Sequence, residues 1–278
     1  MGLFDLFKPV KSISPDQVRT IIKEKSTEQY CLLDVRQRSE YESGHLPGAK
    51  LITLGELQAR LKGLDPEKYT IVYCRSGSRS RAASGILTGA GLKQVYNMEG
   101  GIIAYTGVKA VGLPESGMFC FPESLTPAEL AAVAWLLEDG NLRFLDSLSA
   151  IIKEKTVLDL ILKLHMAKAG NKAAILKLYK DLTSKPPDKD FPRSVLESPP
   201  EDIMAGCVKV SDAQHWMKGK NISDILELMI ALEANTLDLY LKMGRLVKAK
   251  EARHVFKVLS GQETHHLELI SSVFEKGI

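Results

Sequence analysis

The sequence predicts an α/β domain, in which a parallel sheet has flanking helices, followed by an all-α four-helix bundle. In the first part of the chain, short apolar runs of strand length alternate with helical segments, a pattern typical of a parallel sheet covered on both faces. From Thr126 onward the apolar residues recur only at helical spacing. The length of 278 residues suits two domains of ordinary size.

The elements of the first part are marked by their ends and their apolar content. Ser14 followed by Pro15 is typical of a helix start, because serine caps free amides and proline fits the first helical position. The apolar run at 30–35 predicts a strand buried on both faces. The other predicted elements are a strand at 70–73, a helix from Ser80 to Ala90 and a strand that begins at Val95.

The second part predicts four long helices with one long crossover between the second and the third. Glycine and proline mark 109–124 as a linker, so we expect domains at 1–108 and 125–278. Proline and charge dominate the crossover at 184–200. The predicted helices span about 127–153 and 157–182, then from a cap at Asn221 or Ser223 to 248, and finally 251–275.

An internal repeat relates the two helix pairs of this bundle. Glu138 and Glu233 are 95 residues apart, and the same shift aligns the two pairs without gaps. Leu137 then falls on Leu232, for example, and several further apolar positions coincide. Amphipathic helices share a period and match by chance, but a gapless match anchored on the same glutamate favours duplication.

Composition and charge exclude several classes of protein. A hydrophobic fraction of 45% and a charged fraction of 26% are those of a globular protein. The net charge of +3, without a basic stripe interleaved with aromatic residues, does not indicate nucleic-acid binding. No stretch approaches the roughly 18 apolar residues of a transmembrane helix. The apolar segment 2–7 lacks signal-peptide features, so we expect it to pack on its own domain or on a partner.

The cysteines indicate a reducing compartment. Cys31, Cys74, Cys120 and Cys207 are scattered along the chain and form no CxxC pair. In a chain without a secretion signal, this pattern predicts free thiols and no disulfide framework. We therefore expect a cytoplasmic protein. Cys31 lies in a predicted strand and is expected to belong to the core.

The strongest functional signal is the segment from Cys74 to Ser80, Cys-Arg-Ser-Gly-Ser-Arg-Ser, which joins a buried strand directly to a helix. Such a loop can curl so that its amides point at one spot above the sulfur, where they and the helix N-terminus bind anions. The same field favours the thiolate and so makes a nucleophile. Arg75 and Arg79 add charge for an anionic substrate. A plain buried cysteine in a turn would not explain both arginines.

This part of the chain resembles the rhodanese (sulfurtransferase) domain over about residues 10–108. The resemblance implies that Cys74 takes a sulfane sulfur as a persulfide and passes it to a nucleophile. Thiosulfate, polysulfide or a persulfide would be the donor, and cyanide, a thiol or a partner protein the acceptor. Related phosphatases carry a loop one residue longer, so the loop here favours sulfur. The matching motifs lie at 32–36, 40–49 and 71–80, at Gly91 and at Gly100-Gly101.

The resemblance also assigns roles to the residues around the loop. Cys74 is the catalytic residue, and no cofactor is required for sulfur transfer. Arg36 and Glu40 are expected to form an ion pair that supports the turn. The residues expected to bind substrate are Arg75, Ser76, Gly77, Ser78, Arg79 and Ser80. The residues expected to frame the pocket, by structural support or by direct chemistry, are Asp34, Arg36, Glu40 and His45.

A second signal is a set of carboxylates on the apolar faces of the bundle helices. Glu138 and Glu233 each lie in the middle of an apolar stripe. Glu263 and His266 share one face, with the Glu-x-x-His spacing that lets both reach one ion. Because a buried ionised carboxylate is costly unless it is paired, protonated or metal-bound, the set predicts a binding centre.

Residues 125–278 resemble the rubrerythrin branch of the ferritin-like di-iron family, which takes one Glu from each of two helices and a Glu-x-x-His from each of the others. Glu138, Glu233, Glu263 and His266 match. The repeat places Lys168 and Asn171 where the second Glu-x-x-His should lie. The lysine would neutralise carboxylates in a metal-free network. One ion, two metals, or a shifted site with His165 or His265 remain alternatives.

These observations predict a sulfurtransferase whose bundle is a partner, regulatory or degenerate metal module and, by analogy with ferritin-like bundles, a homodimer surface. One alternative is a rubrerythrin-like non-haem iron peroxidase or redox sensor with an accessory rhodanese domain. That enzyme would need an external reductant, because no pair of rubredoxin-type CxxC motifs is present. Another alternative is a module that only senses polysulfide. A relay of sulfur from Cys74 to Cys120 or Cys207 stays open.

Overall fold

The computed structural model describes residues 10–122, 124–247 and 249–274, and the chain divides into two compact units between Pro114 and Glu115. The apolar segment 2–7 and the predicted helix ends at 248 and 275 lie outside the described residues. Among the described residues, no helix has both the length and the apolar character that crossing a bilayer requires.

The first unit contains a five-stranded sheet in which every pair is parallel, as predicted, in the order β1-β5-β4-β2-β3. The central pair, β2 and β4, runs in register from Tyr30 opposite Tyr69 to Asp34 opposite Tyr73. The strands are β1 (Ser12–Ile13), β2 (Tyr30–Asp34), β3 (Lys50–Leu51), β4 (Tyr69–Tyr73) and β5 (Val95–Met98).

Helices connect these strands. The Ser14 hydroxyl accepts from the Gln17 amide, and the Gln17 side chain accepts from the Ser14 amide, so a capping box starts the first helix. The two-residue strands and the shortest helices were not predicted, because segments that short carry no periodicity. The helices are α1 (Pro15–Glu24), α2 (Arg38–Glu42), α3 (Leu57–Arg60), α4 (Ser78–Gly89) and α5 (Gly101–Ala104).

Apolar side chains cover both faces of the sheet. Leu32 of β2 belongs to one buried cluster with Val18 of α1, whereas its neighbour Leu33 belongs to a second cluster with Leu87 of α4. Successive strand residues point to opposite faces, so a strand covered on both sides must be apolar throughout. This explains the uninterrupted apolar runs in the sequence. The second cluster includes Cys74, directly after β4.

The second unit is mainly helical, as predicted. Its long helices pack as two pairs, α6 along α7 and α9 along α10, and α10 also contacts α6 and α7. A short antiparallel hairpin and a short helix, neither of them predicted, precede α9. The elements are α6 (Pro127–Ile151), α7 (Lys155–Thr183), β6 (Ile203–Met204), β7 (Val208–Lys209), α8 (Val210–Trp216), α9 (Ile222–Leu246) and α10 (Lys250–Phe274).

The hairpin lies very close to α6. A side chain at Gly140 would place its Cβ 1.8 Å from the carbonyl oxygen of Ile203, so only glycine fits this position in the middle of the helix. The Asn141 side-chain oxygen accepts a hydrogen bond from the Ala205 amide at 2.9 Å. These contacts fix the hairpin against the middle of α6.

The second unit also contains a disulfide. Cys120 and Cys207 form a disulfide, with Cα atoms 6.3 Å apart and a sequence separation of 87. The prediction of free thiols without a disulfide is therefore wrong for this pair. Only the tertiary fold brings residues so far apart together, and their spacing carries no signal. Cys31 and Cys74 lie outside this disulfide.

The segment predicted as a linker, 109–124, is divided between the units. Ala110 forms an antiparallel bridge with His45, and the Gly112 amide donates to the Glu42 carbonyl oxygen at 2.8 Å. Beyond the boundary, residues 118–120 form a short 3-10 helix that ends at the disulfide. Both ends of this segment are thus held by the unit to which they belong.

Candidate functional site: the Cys74 loop and the buried charged centre

The loop from Cys74 to Ser80 begins at the end of β4 and continues into the first turn of α4. Gly77 caps α4 with a φ of +100°, a left-handed conformation that favours glycine. A Cβ at this position would lie 3.4 Å from the Gly100 amide nitrogen. The loop therefore packs tightly against the turn that follows β5, which explains why glycine occupies position 77.

The first turn of α5 holds the outer side of the loop. The Ile102 amide donates to the Cys74 carbonyl oxygen at 2.8 Å, and the Ile103 amide donates to the Arg75 carbonyl oxygen at 3.2 Å. Gly101 has a φ of +58°, and a Cβ there would come within 2.5 Å of both carbonyl oxygens. These hydrogen bonds therefore fix the backbone of Cys74 and Arg75 against the first turn of α5.

The sulfur of Cys74 is surrounded by hydrogen-bond donors. The Gly77 amide lies 3.1 Å from Sγ, and the Ser80 hydroxyl lies 3.4 Å from it. Burial raises the pKa of the Cys74 thiol, but hydrogen bonds from Ser80 and from the amides of Ser80, Gly77 and Ser76 outweigh it and lower the pKa overall. The loop therefore favours the thiolate, the nucleophilic form.

Ser80 links the thiol to the sheet. Its buried hydroxyl lies 3.4 Å from Cys74 Sγ, 3.1 Å from the Gly77 carbonyl oxygen and 2.6 Å from Asn97 Oδ1. A hydroxyl has one proton, so it donates to one of these acceptors at a time. Asn97 of β5 was not predicted as a site residue. A polar residue in an otherwise apolar strand is the sequence signal that would have identified it.

The two arginines of the loop have different surroundings. Arg79 donates to both carboxylate oxygens of Glu40, at 2.7 and 2.8 Å, and this hydrogen bonding lowers the pKa of Glu40 to about 2. Arg75 is exposed. The role of both arginines in holding an anion stays a prediction, and Arg79 already has a carboxylate partner.

The predicted ion pair between Arg36 and Glu40 is wrong. The Arg36 guanidinium instead binds the Asp34 carboxylate, with 2.6 Å between Nη2 and Oδ2, and donates to the Gly44 carbonyl oxygen at 2.7 Å. Asp34 and Arg36 are both buried, so each needs an opposite charge at close range. Glu40 lies within reach of Arg79 because the fold places α2 next to the loop.

His45 is also buried among groups of its own domain. Its ring stacks on Tyr41 with centroids 3.6 Å apart, and Nδ1 lies 2.9 Å from the Tyr41 carbonyl oxygen. Its backbone pairs with Ala110. These contacts hold the segment between α2 and β3, and the expected framing role of His45 and Asp34 stays a prediction.

The buried charged centre of the second unit contains the four predicted residues Glu138, Glu233, Glu263 and His266, together with Lys168. The Lys168 ammonium lies 3.0 Å from Glu233 Oε2, 3.0 Å from both oxygens of Glu263 and 3.8 Å from Glu138 Oε2. His266 Nδ1 lies 3.3 Å from Glu263 Oε2. The structure thus brings together side chains from four helices, around the lysine.

Electrostatics in the buried charged centre follow from burial and close contact. Burial and the neighbouring Glu233 raise the pKa of Glu263 to about 8. Burial also raises the pKa of Glu233, but Lys168 outweighs that effect and lowers it overall. Burial lowers the pKa of His266, but hydrogen bonds with Glu233 and Glu263 outweigh this effect and raise the pKa to about 9. Of the pair Glu233 and Glu263, Glu263 therefore takes up a proton more readily and Glu233 ionises more readily, while the raised pKa of His266 favours its charged imidazole.

Three residues of this centre are close enough to hold a metal ion. Glu233, Glu263 and His266 each offer a ligand atom, and these atoms all lie within 4.8 Å of one another. The shifted site is not supported, because His165 is paired with Asp146 at 3.2 Å and His265 is exposed. Asn141, which was not predicted, donates to Glu138 at 3.3 Å.

The first unit matches known proteins. The Rhodanese-like domain family matches residues 14–107. The Bacillus subtilis protein YtwF is 38% identical over 98 residues, which are 35% of this chain and 92% of YtwF. A sulfurtransferase of Allochromatium vinosum is 34% identical over 79 residues, which are 28% of this chain and 74% of that protein.

Other relatives extend well beyond the matched region. Rhodanese-like/PpiC domain-containing protein 12 of Arabidopsis thaliana is 35% identical over 104 residues, which are 36% of this chain and 35% of that protein. The chain spans between 35% and 60% of the length of three such relatives. YtwF, by contrast, is matched over nearly its whole length by the unit that carries the Cys74 loop. Through this unit, the chain belongs to the rhodanese-like domain family.

Proposed function

We propose that the chain is a sulfurtransferase that carries a sulfane sulfur on Cys74. One observation carries this proposal: the Cys74 sulfur accepts hydrogen bonds from the Gly77 amide and the Ser80 hydroxyl, and its pKa is lowered. Membership of the rhodanese-like family supports sulfur transfer as the class of reaction. Thiosulfate, a polysulfide or a persulfide is the proposed donor.

The proposed reaction has two steps, and thiosulfate illustrates the first. The Cys74 thiolate attacks the outer sulfur of the donor, a new sulfur–sulfur bond forms, and the donor's own bond breaks. Its electron pair leaves with sulfite, and Cys74 retains a persulfide anion. In the second step, cyanide, a thiol or a partner protein attacks the outer sulfur and restores the thiolate. No cofactor is needed, because each step is a nucleophilic displacement.

The loop groups have distinct parts in this proposal. The loop amides stabilise the anionic persulfide, as backbone donors do at sites where negative charge develops. Arg75, Ser76 and Ser78 are exposed and are the proposed contacts of the anionic donor. Arg79 positions the first turn of α4 through Glu40. Cys74 is 1% exposed, so the proposed reaction requires that the donor gain access to a buried sulfur.

Sulfur transfer from thiosulfate to cyanide tests the proposal. Cys74→Ser should abolish turnover, whereas Cys31→Ser, which removes the other cysteine outside the disulfide, should retain it. Mass spectrometry of the protein after thiosulfate treatment should show one added sulfur atom, lost on addition of cyanide. A Cys74→Ser variant with parental turnover would overturn the proposal. One sulfur loading without steady-state turnover would instead identify a sensing module.

We further propose that the helical unit is a rubrerythrin-like bundle acting as a partner or regulatory module. Support comes from Glu138, Glu233, Glu263 and His266, which meet at one centre. These residues do not fit the family's two-iron site, because the Lys168 ammonium lies 3.0 Å from both Glu233 and Glu263. No step of the proposed reaction therefore involves iron.

The cytoplasmic location and a homodimer through the bundle stay predictions, and light scattering of the full chain tests the homodimer.

A further inference from the structure

Lys168 occupies the middle of the buried charged centre. Its side chain is 1% exposed, and its ammonium group donates to Glu233 of α9 and to Glu263 of α10. Glu138 of α6 lies 3.8 Å away. Since Lys168 itself lies on α7, this one cation contacts carboxylates from each of the three other long helices. A central position bridging several carboxylates is the position that a bound metal ion would take.

The internal repeat explains how the lysine came to lie there. Lys168 and Glu263 are separated by 95 residues, the same shift that places Glu138 on Glu233. Asn171 is likewise equivalent to His266. One copy of the repeat therefore supplies an acid and an imidazole, while the other supplies a cation and an amide. The charge that a metal ion would provide is already present in the chain.

Protein groups also take the place of a metal ion around Glu138. Its two carboxylate oxygens accept hydrogen bonds from Asn171 and Asn141, both at 3.3 Å. Asn141 in turn accepts from the Ala205 amide of the hairpin segment. Asn171 thus reaches the carboxylate from the position where the histidine of a second Glu-x-x-His would stand, whereas Asn141 reaches it from the same helix as Glu138. Glu138 therefore belongs to a hydrogen-bond network of protein groups, which includes Asn141, Asn171 and the Ala205 amide.

The centre also lies at the junction of two apolar clusters. On α7, Leu164 belongs to one cluster and Ile175 to the other, with Lys168 between them. On α10, Ile270 and Leu259 flank Glu263 in the same way. A charged group in such a place specifies how helices align, because any shift in register would bury a charge without its partner.

We propose that Lys168 is the resident cation of this bundle: its ammonium replaces a divalent metal ion, keeps the centre metal-free and fixes the alignment of the four helices. This inference is independent of sulfur transfer in the first unit. It also decides against the iron peroxidase alternative, because removal of the lysine, and not the native chain, should create a cation site on Glu233, Glu263 and His266.

Cobalt(II) binding to the full chain tests the inference. The native chain should bind no cobalt in the bundle, as judged by metal analysis and by visible absorption after dialysis. Lys168→Met should gain about one cobalt per chain, and the gain should vanish in the double variant Lys168→Met/His266→Ala. Lys172→Met is the matched control, since Lys172 lies one turn further along α7, pairs with Asp139 at 2.6 Å and is 18% exposed. It should gain no cobalt.

Stability provides a second readout. Without metal, Lys168→Met should lower the midpoint of thermal unfolding by roughly 10 °C, the shift expected for removing one partner of a buried ion pair. Cobalt should restore part of that loss. If Lys168→Met does not fold, Lys168→Arg, which keeps the charge, should fold and remain metal-free. Stoichiometric cobalt in the native chain that is lost in Glu263→Gln would overturn the inference. So would a Lys168→Met variant with native stability and no cobalt.

Discussion

The Ile102 amide donates a hydrogen bond to the Cys74 carbonyl oxygen at 2.8 Å, so the nucleophile's own backbone is fixed by the first turn of a short helix. The preceding residue, Gly101, makes this contact available because a larger residue would collide with the loop. The two-glycine turn after β5 is therefore part of the support of the thiol, although it lies more than twenty residues further along the chain.

Gly101→Ala should displace the loop. Its Cβ would lie 2.5 Å from the carbonyl oxygens of Cys74 and Arg75, in a left-handed conformation that disfavours alanine. We expect at least a roughly tenfold loss of sulfur transfer and a destabilisation of about 1–3 kcal/mol. Gly85→Ala in α4 is the control, because its Cβ would meet nothing within 4 Å. Equal activity of the two variants would contradict this account of the loop.

Ser80→Ala should raise the pKa of the Cys74 thiol. The Ser80 hydroxyl favours the thiolate, so its removal favours the neutral thiol and moves the onset of reactivity to higher pH. The measurement is the rate of Cys74 alkylation as a function of pH, in a Cys31→Ser background. Ser84→Ala removes another buried hydroxyl of α4 and should leave the profile unchanged. A Ser80→Ala profile identical to that of the parent would contradict the assignment.

The stability of the second unit should fall as the pH rises from about 6.5 to 9. The pKa of His266 is raised from 6.5 to about 9, so the stability from its charged form is present below 6.5 and is lost as the pH approaches 9. The pKa of Glu263 is raised from 4.5 to about 8, so the stability from its protonated form is present below 4.5 and is lost as the pH rises toward 8. Both effects have the same sign.

His266→Gln should flatten this pH dependence, because glutamine takes up no proton. Urea unfolding followed by tryptophan fluorescence reports on the second unit alone, since Trp135 and Trp216 are the tryptophans of the chain. The control His254→Gln changes an exposed histidine of the same helix and should keep the parental slope. Stability that rises with pH in the parent would contradict the raised pKa values of Glu263 and His266.

Removal of the disulfide should destabilise the second unit. Cys120 and Cys207 close a loop of 87 residues, and the entropy of closing such a loop in the unfolded chain corresponds to about 4–5 kcal/mol. The double variant Cys120→Ser/Cys207→Ser should show a loss of this order in urea unfolding, whereas Cys31→Ser should not. Sulfur transfer should persist in the double variant, because Cys74 lies in the other unit. A complete loss of turnover would instead revive a sulfur relay.

Partner choice is where sequence reasoning failed. Arg36 has two carboxylates nearby in the sequence, Asp34 and Glu40, and spacing alone does not tell which of them it binds. The fold decides, because burial of Asp34 demands a close cation and α2 turns Glu40 toward Arg79. The prediction of free thiols at Cys120 and Cys207 failed for the same reason, because two cysteines so far apart in the sequence meet only when the helices pack.

The sequence by itself determined the alternation of strands and helices in the first unit, the helical character of the second, and the run from Cys74 to Ser80, because apolar periodicity and local loop chemistry act over a few residues. Helical spacing also identified Glu138, Glu233, Glu263 and His266, since it fixes which face of a helix a residue occupies. Only the tertiary structure decided which charges pair, because electrostatic partners are chosen by distance in space. The repeat already placed Lys168 beside these carboxylates, but only the tertiary structure decided that its ammonium lies 3.0 Å from Glu233 and Glu263 and 3.8 Å from Glu138.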